Sequence, residues 1–129
     1  MGRGASEQKI VLVVDDYEEI RVITRRALES FGYMVIEASN GAEAVKVAQA
    51  ESPDLILMDL SMPSMDGFAA IHQLRKLLGL RDVPVIAVSA HAAPEIRKDA
   101  LALGCRDFIT KPVTIELLKS AVERHLPKP

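Results

Sequence analysis

The sequence predicts an α/β fold: an open, doubly wound sheet of five parallel strands with helices on both faces. Three observations lead there. Five short aliphatic runs alternate strictly with five stretches of helical periodicity along the 129 residues. The central run, Leu55-Ile56-Leu57-Met58, is apolar at every position, as a strand covered on both faces must be. Five strand–helix units are also too few to close an eight-stranded barrel, so the sheet stays open.

Each element has its own local signal. Residues 1–8 are small and polar and read as a flexible lead-in to a folded domain over 9–126, with 127–129 as a tail. Lys9-Ile10-Val11-Leu12-Val13-Val14 is a buried first strand that stops at Asp15-Asp16. Ile20, Ile23, Ala27 and Phe31 mark the apolar stripe of a helix that Gly32 ends. Tyr33–Ile36 is the second strand. Asn40-Gly41-Ala42-Glu43 is a capping-box start for a helix to about Ala50. After Pro53 comes the central strand, ending at Asp59. Asp66 suits the cap of a third helix running through Ile71, Leu74 and Leu78 to Gly79. Val83–Val88 is the fourth strand, with Pro84 near its start. A helix from Pro94 to Leu103 stops at Gly104, Asp107–Thr110 is a short fifth strand, and Thr114 caps a last helix with Ile115, Leu118 and Val122 on one face.

Composition narrows the function. Hydrophobic residues make up 49% and charged residues 26%, the balance of one folded domain rather than a disordered chain. A net charge of −2, with 4% aromatics and no Trp, argues against direct nucleic-acid binding. The single Cys105 excludes an internal disulfide, fits a reducing compartment and reads as a core residue. No apolar run approaches the roughly 18 residues of a membrane span, and the N-terminus lacks the apolar core of a signal peptide, so the expectation is a cytoplasmic protein. His72, His91 and His125 lack metal-ligand spacing and read as surface residues. Met58, Met62 and Met65 read as loop packing.

In open parallel sheets the site lies beyond the carboxyl ends of the strands, where strand order reverses. Those ends read Asp15-Asp16, Asp59, Ser89 and Lys111 on the first, third, fourth and fifth strands. With the strand order 2-1-3-4-5 of a flavodoxin-like (βα)5 fold, the three carboxylates share one pocket. Two unit charges about 4 Å apart cost on the order of 4 kcal/mol at an effective dielectric near 20, so the cluster calls for protons or a cation. Oxygen-only ligands favour Mg²⁺ or Mn²⁺ over zinc. A nearby hydroxyl and ammonium then resemble a phosphoryl-binding shell, in which a carboxylate attacks phosphorus. Singly, each residue also has a structural reading: a helix cap for Asp15 or Asp16, a strand-end serine, a solvated lysine. It is their occurrence at four of five strand ends that points to a site.

These same segments resemble the response-regulator receiver domain, the phosphoacceptor module of two-component signalling. Val13-Val14-Asp15-Asp16 resembles its acidic pair, and Met58-Asp59-Leu60-Ser61-Met62-Pro63-Ser64-Met65-Asp66-Gly67 its phosphorylation-site loop. Ala87-Val88-Ser89-Ala90 is similar to its switch-hydroxyl segment and Ile109-Thr110-Lys111-Pro112 to its lysine segment. The resemblance spans about Lys9 to Leu126. It implies that Asp59 is the phosphorylated residue and that Asp16, Asp59 and the Ser61 backbone carbonyl ligate Mg²⁺, with Asp15 acting through water. It further implies that Ser89 and Lys111 bind the phosphoryl group, that Phe108 rotates inward as Ser89 moves, and that the bond before Pro112 is cis. Ser89 and Phe108 stand where Thr and Tyr are commoner, so no aromatic hydroxyl anchors either ring position.

The expected function is therefore a phosphorylation switch rather than a turnover enzyme. A histidine kinase or histidine phosphotransfer protein would donate the phosphoryl group, and the fourth helix, fifth strand and fifth helix (92–126) would engage a downstream target. Phosphorylation-dependent dimerisation belongs to the same expectation, and neither nucleic acid nor membrane does. Three other readings are weaker. A degenerate receiver that binds partners without phosphate would have lost an acid. An aspartate-nucleophile phosphohydrolase needs Asp-x-Asp after the first strand, where Asp15-Asp16-Tyr17-Glu18 stands. An FMN binder needs a phosphate loop where this chain carries two negative charges.

Overall fold

The computed structural model describes residues 8–62, 67–91 and 93–126. The expected tail, most of the expected lead-in, the Asp66 cap and Met65 lie outside the described residues. The order of elements is β1 (Ile10–Val14), α1 (Glu18–Ser30), β2 (Met34–Ala38), α2 (Gly41–Glu51) and β3 (Leu55–Asp59). It continues with α3 (Gly67–Lys76), β4 (Val85–Ser89), α4 (Pro94–Ala102), β5 (Asp107–Thr110) and α5 (Ile115–His125). All pairings are parallel and the strand order is β2-β1-β3-β4-β5, the flavodoxin-like arrangement that the alternation predicts.

Side chains alternate across a strand, so each strand feeds two cores. Leu12, Val14, Ile56, Met58, Val85 and Ala87 face one way, onto Ala44 and Ala48 of α2, Ala70, Ile71 and Leu74 of α3 and Ala100 of α4. Val11, Val13, Leu55, Leu57, Ile86 and Ile109 face the other way, onto Leu28 of α1 and Leu118, Ala121 and Val122 of α5. β3 is buried at every position because it is central and doubly covered. Truncating one of the large side chains, such as Leu12, Ile56 or Leu57, to Ala would cost about 2–5 kcal/mol, so the platform under the strand ends is firmly packed.

The caps follow the local chemistry. Asn40 Oδ1 accepts from the Glu43 amide at 2.8 Å, while Glu43 reaches back to the Ser39 amide at 2.5 Å, one residue before the cap. Thr114 Oγ1 accepts from the Leu117 amide at 3.1 Å. Three apolar expectations fail, one of them Ile115, which is 59% exposed at the first position of α5. Leu78 is 87% exposed, because α3 ends at Lys76 and the turn closed by the Leu80 amide on the Leu77 carbonyl, with Gly79 inside it at φ +86°, rotates it outward. Ile20 and Ile23 are also exposed, the latter at 65%: the buried position of α1 is Leu28, near its far end, while these two line an open cleft. Of the three histidines, His72 and His91 are exposed as expected. His125 instead tucks against β5, with Nε2 3.2 Å from Asp107 Oδ2.

Candidate functional site

The parallel register sets Val14 against Met58, Asp59 against Val88, and Ser89 against Thr110, so the strand ends lie side by side. Asp15, Asp16 and Asp59 consequently converge, with one carboxylate oxygen from each within 4.8 Å of the others. Asp59 is 2% exposed and Asp15 4%, whereas Asp16 opens to solvent.

Both carboxylate oxygens of each buried acid are engaged. Asp59 Oδ1 accepts from the Ser61 amide at 2.8 Å, and Asp15 Oδ1 from the Tyr17 amide at 2.9 Å, each closing a short turn onto the backbone two residues on. Lys111 Nζ donates to Asp15 Oδ2 at 3.1 Å and to Asp59 Oδ2 at 3.4 Å, spanning both. Its own strand is fixed to β4 by the Lys111 amide on the Ser89 carbonyl at 2.8 Å, and the Lys111–Pro112 peptide is cis. Gly67 opens α3 so close to the end of β3 that a Cβ there would sit 2.6 Å from the Asp59 carbonyl oxygen.

Burial pushes the Asp59 carboxyl above its ordinary value; the Ser61 amide opposes this, the Asp15 charge adds to it, and Lys111 counters it. For Lys111, burial works against the charged form, yet Asp15 and Asp59 together outweigh it and raise its pKa. The pocket thus holds more negative charge than its lysine balances. Three carboxylates, all oxygen donors with one open to water, fit a hard, partly hydrated divalent cation.

The remaining expected residues lie close by but are otherwise engaged. Ser89 is 1% exposed and its Oγ accepts from the His91 amide at 3.0 Å. The Ser61 hydroxyl accepts from the Ala90 amide at 3.2 Å, tying the loop after β3 to the loop after β4. Phe108, opposite Ala87, is turned inward, with the Arg97 guanidinium 5.8 Å from its ring centre. Beside the acids an apolar cleft of about 510 Å³ runs between α1 and α5, lined by Ile20, Ile23, Val113 and Leu118 and also by Asp15, Asp59 and Lys111. Sequence reasoning missed Arg21, whose Nη1 donates to the Asp15 carbonyl at 2.8 Å. No spacing rule links a helix arginine to a strand-end carbonyl.

Fold and site define a flavodoxin-like α/β protein with an acidic centre at the switch point of its sheet. A family model described as the response regulator receiver domain matches residues 11–123. An uncharacterised 14.6 kDa protein of Leptolyngbya boryana is 41% identical over 87% of this chain and 86% of its own. The chemotaxis protein CheY4 of Vibrio cholerae superposes with a TM-score of 0.88 at 31% identity, covering 92% of this chain and 99% of that one. The receiver domain of sensor histidine kinase PA1611 from Pseudomonas aeruginosa, solved with a magnesium ion in its active-site cleft, gives 0.84 at 31%, covering 92% and 97%. Several other relatives are longer, this chain spanning 49% and 48% of two of them. The chain belongs to the response-regulator receiver family of two-component signalling. Among the described residues no helix is long and apolar enough to cross a membrane.

Proposed function

We propose that this chain is a phosphorylation switch in which Asp59 takes a phosphoryl group from a phosphohistidine of a partner kinase or phosphotransfer protein. The observation that carries this reading is a carboxylate 2% exposed, at the end of the central strand, facing two further acids and one lysine. One lysine is too little to offset three carboxylates, so a purely structural acid would be better placed elsewhere. Asp16, Asp59 and the Ser61 carbonyl would hold Mg²⁺, with Asp15 reaching it through water. The acid cluster and the magnesium-bound relative support this assignment. Bound Mg²⁺ supplies charge neutralisation for the acids and the incoming phosphoryl oxygens.

An Asp59 carboxylate oxygen attacks phosphorus, the P–N bond breaks, and the departing imidazole keeps the electron pair and takes up a proton. Asp59 is already held in place by the Ser61 amide, so little reorganisation precedes attack. Lys111 exchanges its bond to Asp59 for one to a phosphoryl oxygen. Among the described residues Ser89 Oγ accepts from the His91 amide and donates to none, so its proton can turn to the phosphoryl group. The donor reaches Asp59 past the apolar cleft, where Ile20, Ile23 and Val113 offer a helical partner a surface to bury. Movement of Ser89 is felt at Phe108 and hence across 92–126, the face for a downstream partner. Two charge-assisted hydrogen bonds at roughly 1.5–3 kcal/mol each approach the 5.5 kcal/mol that carries a population from 1:99 to 99:1.

Intact mass after incubation with acetyl phosphate and Mg²⁺ tests the reading. A single phosphoryl adduct, absent from Asp59→Ala and from metal-free protein, is expected. No adduct on folded protein would make the chain a phosphate-independent binding module.

A further inference from the structure

Asp15 is held on four sides: its amide donates to the Ala38 carbonyl at 3.2 Å, Oδ1 takes the Tyr17 amide, and Oδ2 takes Lys111. The fourth contact comes from outside the pocket. Arg21 on α1 donates from Nη1 to the Asp15 carbonyl at 2.8 Å and from Nε to Glu37 Oε1 at 3.1 Å. Glu37, on the edge strand β2, also takes Arg25 through its other oxygen at 2.5 Å. The Asp15 carbonyl shares a peptide plane with the Asp16 amide, and Asp16 is the exposed acid. Whatever orients that carbonyl therefore orients the backbone from which the Asp16 carboxylate projects. A guanidinium is suited to this because its planar fork serves a carbonyl and a carboxylate in fixed directions, which an ammonium does not.

We infer that Arg21, braced by Glu37, is a positioning residue that aims the Asp15–Asp16 peptide so that Asp16 meets the divalent cation. This rests on the metal-binding reading above. Groups that orient ligands without touching the metal are worth 10–100-fold in affinity. Arg21→Gln is expected to weaken Mn²⁺ binding about tenfold. Glu37→Gln, which leaves the arginine unbraced, is expected to weaken it by a smaller factor of about three, below the range for full loss. Arg25→Gln removes the other Glu37 partner without touching Asp15 and is expected to bind Mn²⁺ like the parent.

The experiment is Mn²⁺ binding by electron paramagnetic resonance on parent and variants, each shown folded by circular dichroism. The metal-free amide spectrum of each is recorded alongside. Loss of the charged donor should move the Asp16 amide nitrogen upfield in Arg21→Gln while leaving it in place in Arg25→Gln. A helix that is merely destabilised would lower the melting temperature without moving Mn²⁺ affinity. Arg21→Gln and Glu37→Gln both binding like the parent would overturn the inference, and so would equal loss in Arg25→Gln. Should Arg21→Gln not fold, Glu37→Gln decides alone, parent-like binding overturning it. If the parent itself takes up no Mn²⁺, the metal reading falls and this inference with it, a result distinct from parental binding that Arg21 does not affect.

Discussion

Lys111→Met isolates the charge that holds the acid pocket together. Lys111 Nζ lies 3.1 Å from Asp15 Oδ2 and 3.4 Å from Asp59 Oδ2. At an effective dielectric near 20, each pair contributes about 5 kcal/mol of gross attraction. Burial of the ammonium offsets much of that, so the damage comes chiefly from what the variant leaves behind: two buried carboxylates with no cation. Stranding a buried charge costs about 3–5 kcal/mol. Proton uptake by Asp59 caps the loss, and about 3 kcal/mol at pH 8 is expected. The pH dependence has a definite sign. Asp59 already has a raised pKa, so the native chain holds this proton more tightly than the unfolded one, and stability falls as pH rises through the folded value. Losing Lys111 raises that pKa further, so the gap between parent and variant widens from pH 5 to pH 8. The raised pKa of Lys111 itself adds no slope there; its contribution is complete below the ordinary lysine value and disappears only as pH rises through the folded one. Urea unfolding followed by far-ultraviolet circular dichroism at pH 5, 7 and 8 measures this, with an unchanged slope confirming a pure stability effect. A loss under 1 kcal/mol at pH 8, or one equal at pH 5 and pH 8, would refute the electrostatic account.

Asp59→Asn removes a buried, repelled charge and should stabilise the metal-free chain at neutral pH by about 1–2 kcal/mol, a gain that shrinks toward pH 4. Melting with and without Mg²⁺ checks it, since the variant should also lose stabilisation by the metal. Gly67→Ala places a methyl 2.6 Å from the Asp59 carbonyl oxygen and 2.7 Å from Leu60 Cδ2, so it should cost about 1–3 kcal/mol in urea unfolding. Arg75→Met strips the carbonyls of Leu80, Arg81, Val83 and Gly104 of a shared donor and should cost about 2–3 kcal/mol. Hydrogen exchange rising first in the α3–β4 and α4–β5 loops would locate that effect.

What could be read from the chain was whatever repeats locally. The all-apolar run of Leu55–Met58 dictates a doubly covered strand, and once strands and helices alternate, handedness and short connections leave few topologies. The convergence of Asp15, Asp16 and Asp59 follows from that topology, because parallel strands align their carboxyl ends. Periodicity fails where a residue's surroundings are supplied by distant elements. Ile20 and Ile23 keep helical spacing, yet nothing in α1 reveals that the fold leaves an open cleft beside them, lined also by Val113 and Leu118. Leu78 continues the α3 stripe, but the chain has already turned at Leu77. Long basic side chains were the least legible. Lys111 could be placed at its strand end, though not its bonds to both Asp15 and Asp59; Arg75 closes loops that meet only in the fold, and Arg21 fastens the acid pair to β2 through Glu37. A flexible side chain with several donors selects its partners after the backbone is in place, so its role belongs to the assembled pocket. For this receiver it follows that the acids can be located from strand ends alone. How firmly they are aimed depends on cations whose positions only the fold determines.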